Sequence, residues 1–162
     1  MTHSEVDLNL DEAFCDALRE GNIAEVQRCL AAGVPLNYNV AYKGPPLFIV
    51  LDENNYALAK LLLDYGVDPL VREEETENNA LHFLFGSFDY LYDWYLRGDT
   101  LPNIERDIRE NRQIAKLLID AGTSLTEKNV YGLTPMQYIS YNYPLREFVE
   151  SYARENGIAL CD

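Results

Sequence analysis

Short apolar blocks alternate with polar turns along this chain, and they do so at a repeating interval. The segment 44–69, GPPLFIVLDENNYALAKLLLDYGVDP, carries the unit most plainly. It has an apolar block, a polar turn, a second apolar block closed by Gly, and then an extended polar stretch. The same order runs through 12–37, EAFCDALREGNIAEVQRCLAAGVPLN, and opens again in 129–143, NVYGLTPMQYISYNY. Between these lie NNALHFLF at 78–85 and NRQIAKLLIDAGTSLT at 111–126. In the second unit Ala57, Leu58, Leu61 and Leu62 fall at i, i+1, i+4 and i+5, which predicts one apolar helical face. Gly33, Gly66 and Gly122 stand where a left-handed helix stop is expected. Pro46 and Pro135 stand at helix starts, where a missing N–H costs nothing.

The interval is regular except once. Gly66 follows Phe48 by 18 positions and Gly33 follows Cys15 by the same 18, whereas Gly122 follows His82 by 40. The third unit therefore carries 22 added residues between its two helices. They include FGSFDYLYDWYLRGDTLPN at 85–103, which is rich in aromatics and helical in pattern. Leu81, Leu84, Phe85, Phe88, Leu91, Tyr92 and Tyr95 extend the face of the first helix. Ile104, Ile108, Ala115 and Leu118 do so for the second. The turn residues Arg97, Gly98, Asp99, Thr100 and Pro102 lie between them. These features predict a helical hairpin over about residues 85–107 that protrudes beyond its neighbours. Trp94, the only tryptophan, lies with Asp89 and Asp93 on the side opposite Phe88, Leu91 and Tyr95. Two readings stay open there: an apolar anchor beside acids for a partner, or packing internal to the hairpin.

The unit resembles the ankyrin repeat, whose helix pair opens with a Thr-Pro-Leu-His-type turn and closes on Leu-Leu-x-x-Gly. Gly132, Thr134 and Pro135 carry the opening turn, followed by Met136 and Gln137 where Leu and His are usual. Pro45, Pro46, Leu47 and Phe48 stand there in the second unit, and Asn79, Ala80, Leu81 and His82 in the third. The closes are Leu61, Leu62, Leu63 and Gly66, then Leu117, Leu118 and Gly122. The first unit is a degenerate cap, with Gly21 at the turn and Cys29, Leu30 and Gly33 at the close. The resemblance implies an all-α solenoid of four helix pairs with extended finger loops and the protruding hairpin in the third. It covers about residues 10–156 of an expected single domain, 1–162, with repeats at about 10–37, 38–69, 70–126 and 127–156. It further implies protein binding through finger tips and the exposed positions of each first helix. Those positions here are Asn39, Ala41, Tyr42, Asp52 and Glu53, then Glu73, Glu75, Thr76 and Asn78, then Lys128, Tyr131, Tyr141 and Asn142. His82 matches the histidine that hydrogen-bonds neighbouring turns in that family. Together with the hairpin, the expected partner-binding set is Tyr42, Asp52, Glu53, Glu73, Glu75, Asp89, Asp93, Trp94, Tyr131 and Tyr141.

Charge sharpens this picture. With 13 basic and 27 acidic residues the net charge is −14, a field that repels nucleic acid and anionic membranes and favours a basic protein partner. The run Glu73, Glu74, Glu75 and Glu77 reads either as a solvated finger or as an electrostatic docking patch; it lacks the alternation and central Gly of a calcium loop. No apolar run reaches the roughly 18–20 residues of a membrane span. The opening MTHSEVDLNLDEAF has neither basic nor apolar signal regions, so a cytoplasmic location is expected. Three cysteines, Cys15, Cys29 and Cys161, without clustered spacing fit a reducing compartment. Two histidines, His3 and His82, with no clustered Cys pair write no zinc pattern, and no phosphate loop or nucleophile elbow is present. No cofactor, no metal and no catalytic residue are expected. The expectation is a protein-binding module, monomeric when free. It is read as an acidic inhibitor or immunity-type protein that neutralises a basic toxin or nuclease, with a general ankyrin adaptor as the alternative.

Overall fold

A computed structural model describes residues 5–37, 44–87, 97–98, 103–139 and 143–160. The chain falls into two compact units, Met1–Asp68 and Pro69–Asp162. Among the described residues the regular structure is helical, apart from one isolated antiparallel bridge between Arg72 and Asn79.

The first unit holds α1 (Glu5–Glu20), α2 (Ile23–Ala31), α3 (Pro46–Asp52) and α4 (Tyr56–Asp64). Asn22 caps α2 by accepting the Glu25 amide at 3.2 Å, and Asn55 caps α4 by accepting the Leu58 amide at 3.0 Å. α1 packs on α2 and on α3, and α3 packs on α4. The core is built from Phe14, Cys15 and Leu18 of α1, Val26 and Cys29 of α2, all of Leu47–Leu51 in α3, and Leu58, Ala59 and Leu62 of α4. A helix as short and as apolar all round as α3 is stable only when enclosed. The buried face of α4 is Leu58, Ala59 and Leu62, with Leu61 half-buried and Ala57 exposed. The face expected from Ala57 and Leu61 is thus rotated toward Ala59. Cys15 and Cys29 are buried free thiols, and burial pushes the Cys29 thiol up.

The second unit holds α5 (Ala80–Ser87), α6 (Ile104–Asp120), α7 (Pro135–Tyr138) and α8 (Tyr143–Glu155). α5 packs on α6 and α7, and α6 packs on α8, so first helices meet first helices and second meet second. Pro135 opens α7, and Gln137 reaches back to accept the Thr134 amide at 2.8 Å in a capping box. α6 is 17 residues long, against 9 in α2 and in α4. Its extra turns begin at Ile104, and Ile104, Ile108, Ala115 and Leu118 are all buried as the pattern implied. Of the expected hairpin, residues 97–98 form a turn with Gly98 at φ +74°, and residues 88–96 and 99–102 lie outside the described residues.

Second helices end the same way each time. In α4, the Gly66 amide donates to Leu63 O at 3.1 Å and the Val67 amide to Leu62 O at 3.0 Å, with Gly66 at φ +96°. This paired 5→2 and 6→1 bonding satisfies carbonyls the helix leaves open, and Val67 turns back into the core. The bonds recur at Gly33 with Val34 and at Gly122 with Thr123. A Cβ added at Gly66 would meet nothing within 4 Å, so the backbone angle alone selects glycine. Gly66→Ala is therefore expected to cost about 1–2 kcal/mol with unchanged helix content. Urea unfolding measures this, and a loss below about 0.5 kcal/mol would show that the stop tolerates an L side chain.

Candidate functional site

The segment leading into α5 and the loop leading into α7 are tied together by a buried polar network. In the first, Arg72 and Asn79 pair across a turn in which the Glu73 amide donates to Asn78 O at 2.9 Å. The Glu73 carboxylate accepts from the Thr76 hydroxyl and from Asn78 Nδ2, so it serves the turn's own geometry. Glu74, Glu75 and Glu77 stay exposed on its outside. Glu77 has φ +54°, a conformation the turn imposes on a non-glycine residue.

Asn129 is the centre of the second segment. Its Oδ1 accepts the amides of Tyr131 and Leu133, both at 3.0 Å. Its Nδ2 donates to Asn78 Oδ1 at 2.8 Å and to Tyr138 Oη at 2.9 Å. The Val130 amide donates to Thr76 O at 3.0 Å, which stitches loop to finger along the backbone as well. His82 supplies the other anchor. Its Nε2 donates to Leu133 O at 2.8 Å, which assigns the tautomer because a carbonyl only accepts. Its Nδ1 then accepts the Asn79 amide at 3.2 Å, and its ring meets Tyr138 edge to face at 5.5 Å. Burial lowers the pKa of His82 below its ordinary value, so the ring is neutral near pH 7. The expected role of His82 in joining neighbouring turns is what the geometry performs.

Three apolar side chains are held outward by this network. Tyr131 is 69% exposed, Val130 52% and Leu133 37%. Isolated apolar residues on a surface mean little, but three within four positions on a loop pinned by buried hydrogen bonds form a patch with a fixed shape. The acids Glu74, Glu75 and Glu77 stand on the finger bonded to that loop. The site therefore pairs an apolar centre with an anionic border. Its histidine is engaged with two backbone groups. Among the described residues no three His, Cys, Asp or Glu side chains gather as a metal site.

This helix–finger–helix order is found in a solved structure. The chain is similar to the crystal structure of the ankyrin repeat domain of Bcl-3, described as a unique member of the IkappaB protein family. The TM-score is 0.61 at 17% sequence identity, over 85% of this chain and 50% of that one. This chain has the ankyrin-repeat fold. It spans about half the length of that ankyrin domain. No family model matches the sequence, and no curated protein does.

Within the ankyrin fold the expected binding residues separate. Asp52 and Glu53 are exposed at the C-terminal end of α3 in the first unit. Glu73, Glu75 and Tyr131 are drawn together in the second, Glu73 inward and the other two outward. Tyr42, Asp89, Asp93, Trp94 and Tyr141 lie outside the described residues. Val130 and Leu133 were missed by sequence reasoning. Their signal was apolar residues beside Gly132 in a stretch where the finger pattern calls for polar ones.

Two outcomes follow. Asn129→Ala leaves the Tyr131 and Leu133 amides without their acceptor and removes the donor to Asn78 Oδ1, and is expected to cost about 2–3 kcal/mol by urea unfolding. A folded-state pKa below the unfolded value means stability from His82 is fully present above about pH 6.5 and lost as pH falls below it. The stability gap between wild type and His82→Gln is thus expected to shrink from pH 7.5 to 5.5. A constant gap would show that His82 does not charge in the unfolded chain alone.

Proposed function

We propose that this chain is a protein-binding module that docks a partner with a basic surface on the finger face of its second unit. What carries the reading is the rigid Val130–Tyr131–Leu133 patch bordered by Glu74, Glu75 and Glu77, in a chain of net charge −14. An exposed tyrosine on a preorganised loop is suited to anchor a partner, because little side-chain entropy is lost when it is buried. The acids steer the encounter and select the sign of the partner. On the first unit, Asp52 and Glu53 are proposed as contacts of their own: carboxylates at a helix C-terminus oppose the helix dipole, so local stability does not account for them. Tyr42, Tyr141 and the hairpin residues Asp89, Asp93 and Trp94 are proposed as further partner contacts.

In its finer form the proposal is an inhibitor or immunity-type protein, monomeric when free and resident in the cytoplasm, that neutralises a basic toxin or nuclease. A small acidic binding module can act by occupying another protein's surface. An adaptor that recruits its partner for another purpose is the second reading, favoured by the similarity in fold to an ankyrin repeat domain.

Capture from native lysate with wild type and Tyr131→Ala in parallel tests the module. A basic partner retained by the first and lost by the second is expected, with affinity falling by roughly thirtyfold, or about 2 kcal/mol. The melting temperature should stay unchanged because Tyr131 contacts solvent. Association should slow between low and physiological salt, where charges beyond about 8 Å are screened. An acidic partner, or binding indifferent to both salt and Tyr131, would sink the reading. If the partner is an enzyme, stoichiometric loss of its activity marks the inhibitor, and full activity in the complex marks the adaptor.

A further inference from the structure

On the second unit, α6 and α8 line an open groove of about 540 Å³ that shares no residue with the finger site. That volume lies in the range of about 300–1,000 Å³ typical of sites for small organic molecules. Ile108 of α6 and Pro144 and Phe148 of α8 supply its apolar walls. Arg109, Arg112 and Lys116 supply its polar ones, all on one face of α6.

The sign of this groove runs against the rest of the chain. With 27 acidic residues to 13 basic ones, a base should find a carboxylate easily. Arg106 and Lys116 of the same helix do so, with Asp107 and Asp120. Among the described residues Arg109 and Arg112 have no carboxylate partner. Arg112 is also poorly satisfied where it lies. Its Nη2 makes only a long bond of 3.4 Å to Pro144 O, and its Nε is buried with no acceptor at all. The guanidinium lies over the Phe148 ring at 5.8 Å, which keeps it beside the apolar wall. A buried donor without an acceptor is costly, and a small turn of the side chain toward the cavity would exchange that long bond for a two-point contact with a carboxylate. Glu105 stands at one end of the same face, a single acid set against the two unpaired arginines. It admits one negative charge and repels a polyanion.

From these features we infer that the α6–α8 groove is a binding site for a small organic acid, an apolar body with one carboxylate. The body lies between Ile108, Pro144 and Phe148, and the carboxylate meets Arg112 and Arg109. This site is independent of the protein-docking surface and stands or falls apart from it.

Calorimetric titration of the intact protein with 4-phenylbutyrate, and with 4-phenylbutan-1-ol as its uncharged counterpart, tests the inference. Saturable binding of the acid with Kd below about 1 mM is expected, and at least about tenfold weaker binding of the alcohol. Arg112→Gln should weaken the acid about tenfold and leave the alcohol unchanged. Arg109 is exposed, so Arg109→Gln keeps the test valid should the first variant fold poorly, and it should weaken the acid about threefold. Equal affinity for acid and alcohol, no saturation by 10-fold above that concentration range, or wild-type binding in Arg109→Gln and folded Arg112→Gln would each overturn it. So would binding of the capped dipeptide acetyl-Asp-Phe-amide without any binding of 4-phenylbutyrate, which would make the groove a peptide-docking surface.

Discussion

Everything in this structure depends on stopping a short helix and turning the chain without leaving carbonyls open. Helices of 9 residues such as α2 and α4 do not persist alone in water, so their stability comes from an apolar face laid on a neighbour. A neighbour can be reached only if the chain reverses promptly. The left-handed residue at Gly33, Gly66 and Gly122 performs that reversal, and the residue behind it drops back into the core. Backbone geometry and burial are thus solved by one device repeated along the chain.

The same economy shapes the finger site. The loop before α7 has little regular structure, yet Asn129 and His82 satisfy its amides and its Leu133 carbonyl from within. Asn129 and His82 are themselves buried, so removing the Asn129 side chain leaves the Tyr131 and Leu133 amides without their acceptor. Rigidity of the loop and exposure of Tyr131 are therefore two sides of one arrangement. The polar atoms point in, so the apolar side chains are left facing out.

Charge is distributed, not uniform. The finger carries the exposed acids Glu74, Glu75 and Glu77, while the face of α6 toward α8 carries Arg109 and Arg112, which have no carboxylate partner among the described residues. One polypeptide can in this way present an anionic surface to a large cationic partner and a cationic groove to a small anion. The separation is possible because exposed charges more than a Debye length apart scarcely feel one another at physiological salt.

Much of the fold was legible in the amino-acid order. The glycine stops, the prolines at helix starts and the 18-residue interval are local signals, each set by the conformational limits of a residue and its near neighbours. Part of the added length before Gly122 lies in α6, which runs to 17 residues. Other features were decided only in three dimensions. That Ala59 and not Ala57 faces the core depends on which side of α4 its neighbour covers. That Glu73 turns inward while Glu75 stays out depends on a turn closed between Arg72 and Asn79. That Val130 and Leu133 are exposed depends on Asn129 reaching Asn78, 51 positions away, and on His82 reaching Leu133 across the same number. The groove joins residues of two helices more than 30 positions apart, as Arg112 and Pro144 are. Sequence determines what each segment can be, because those limits are local; contact between distant segments determines which side chains are left over for a partner.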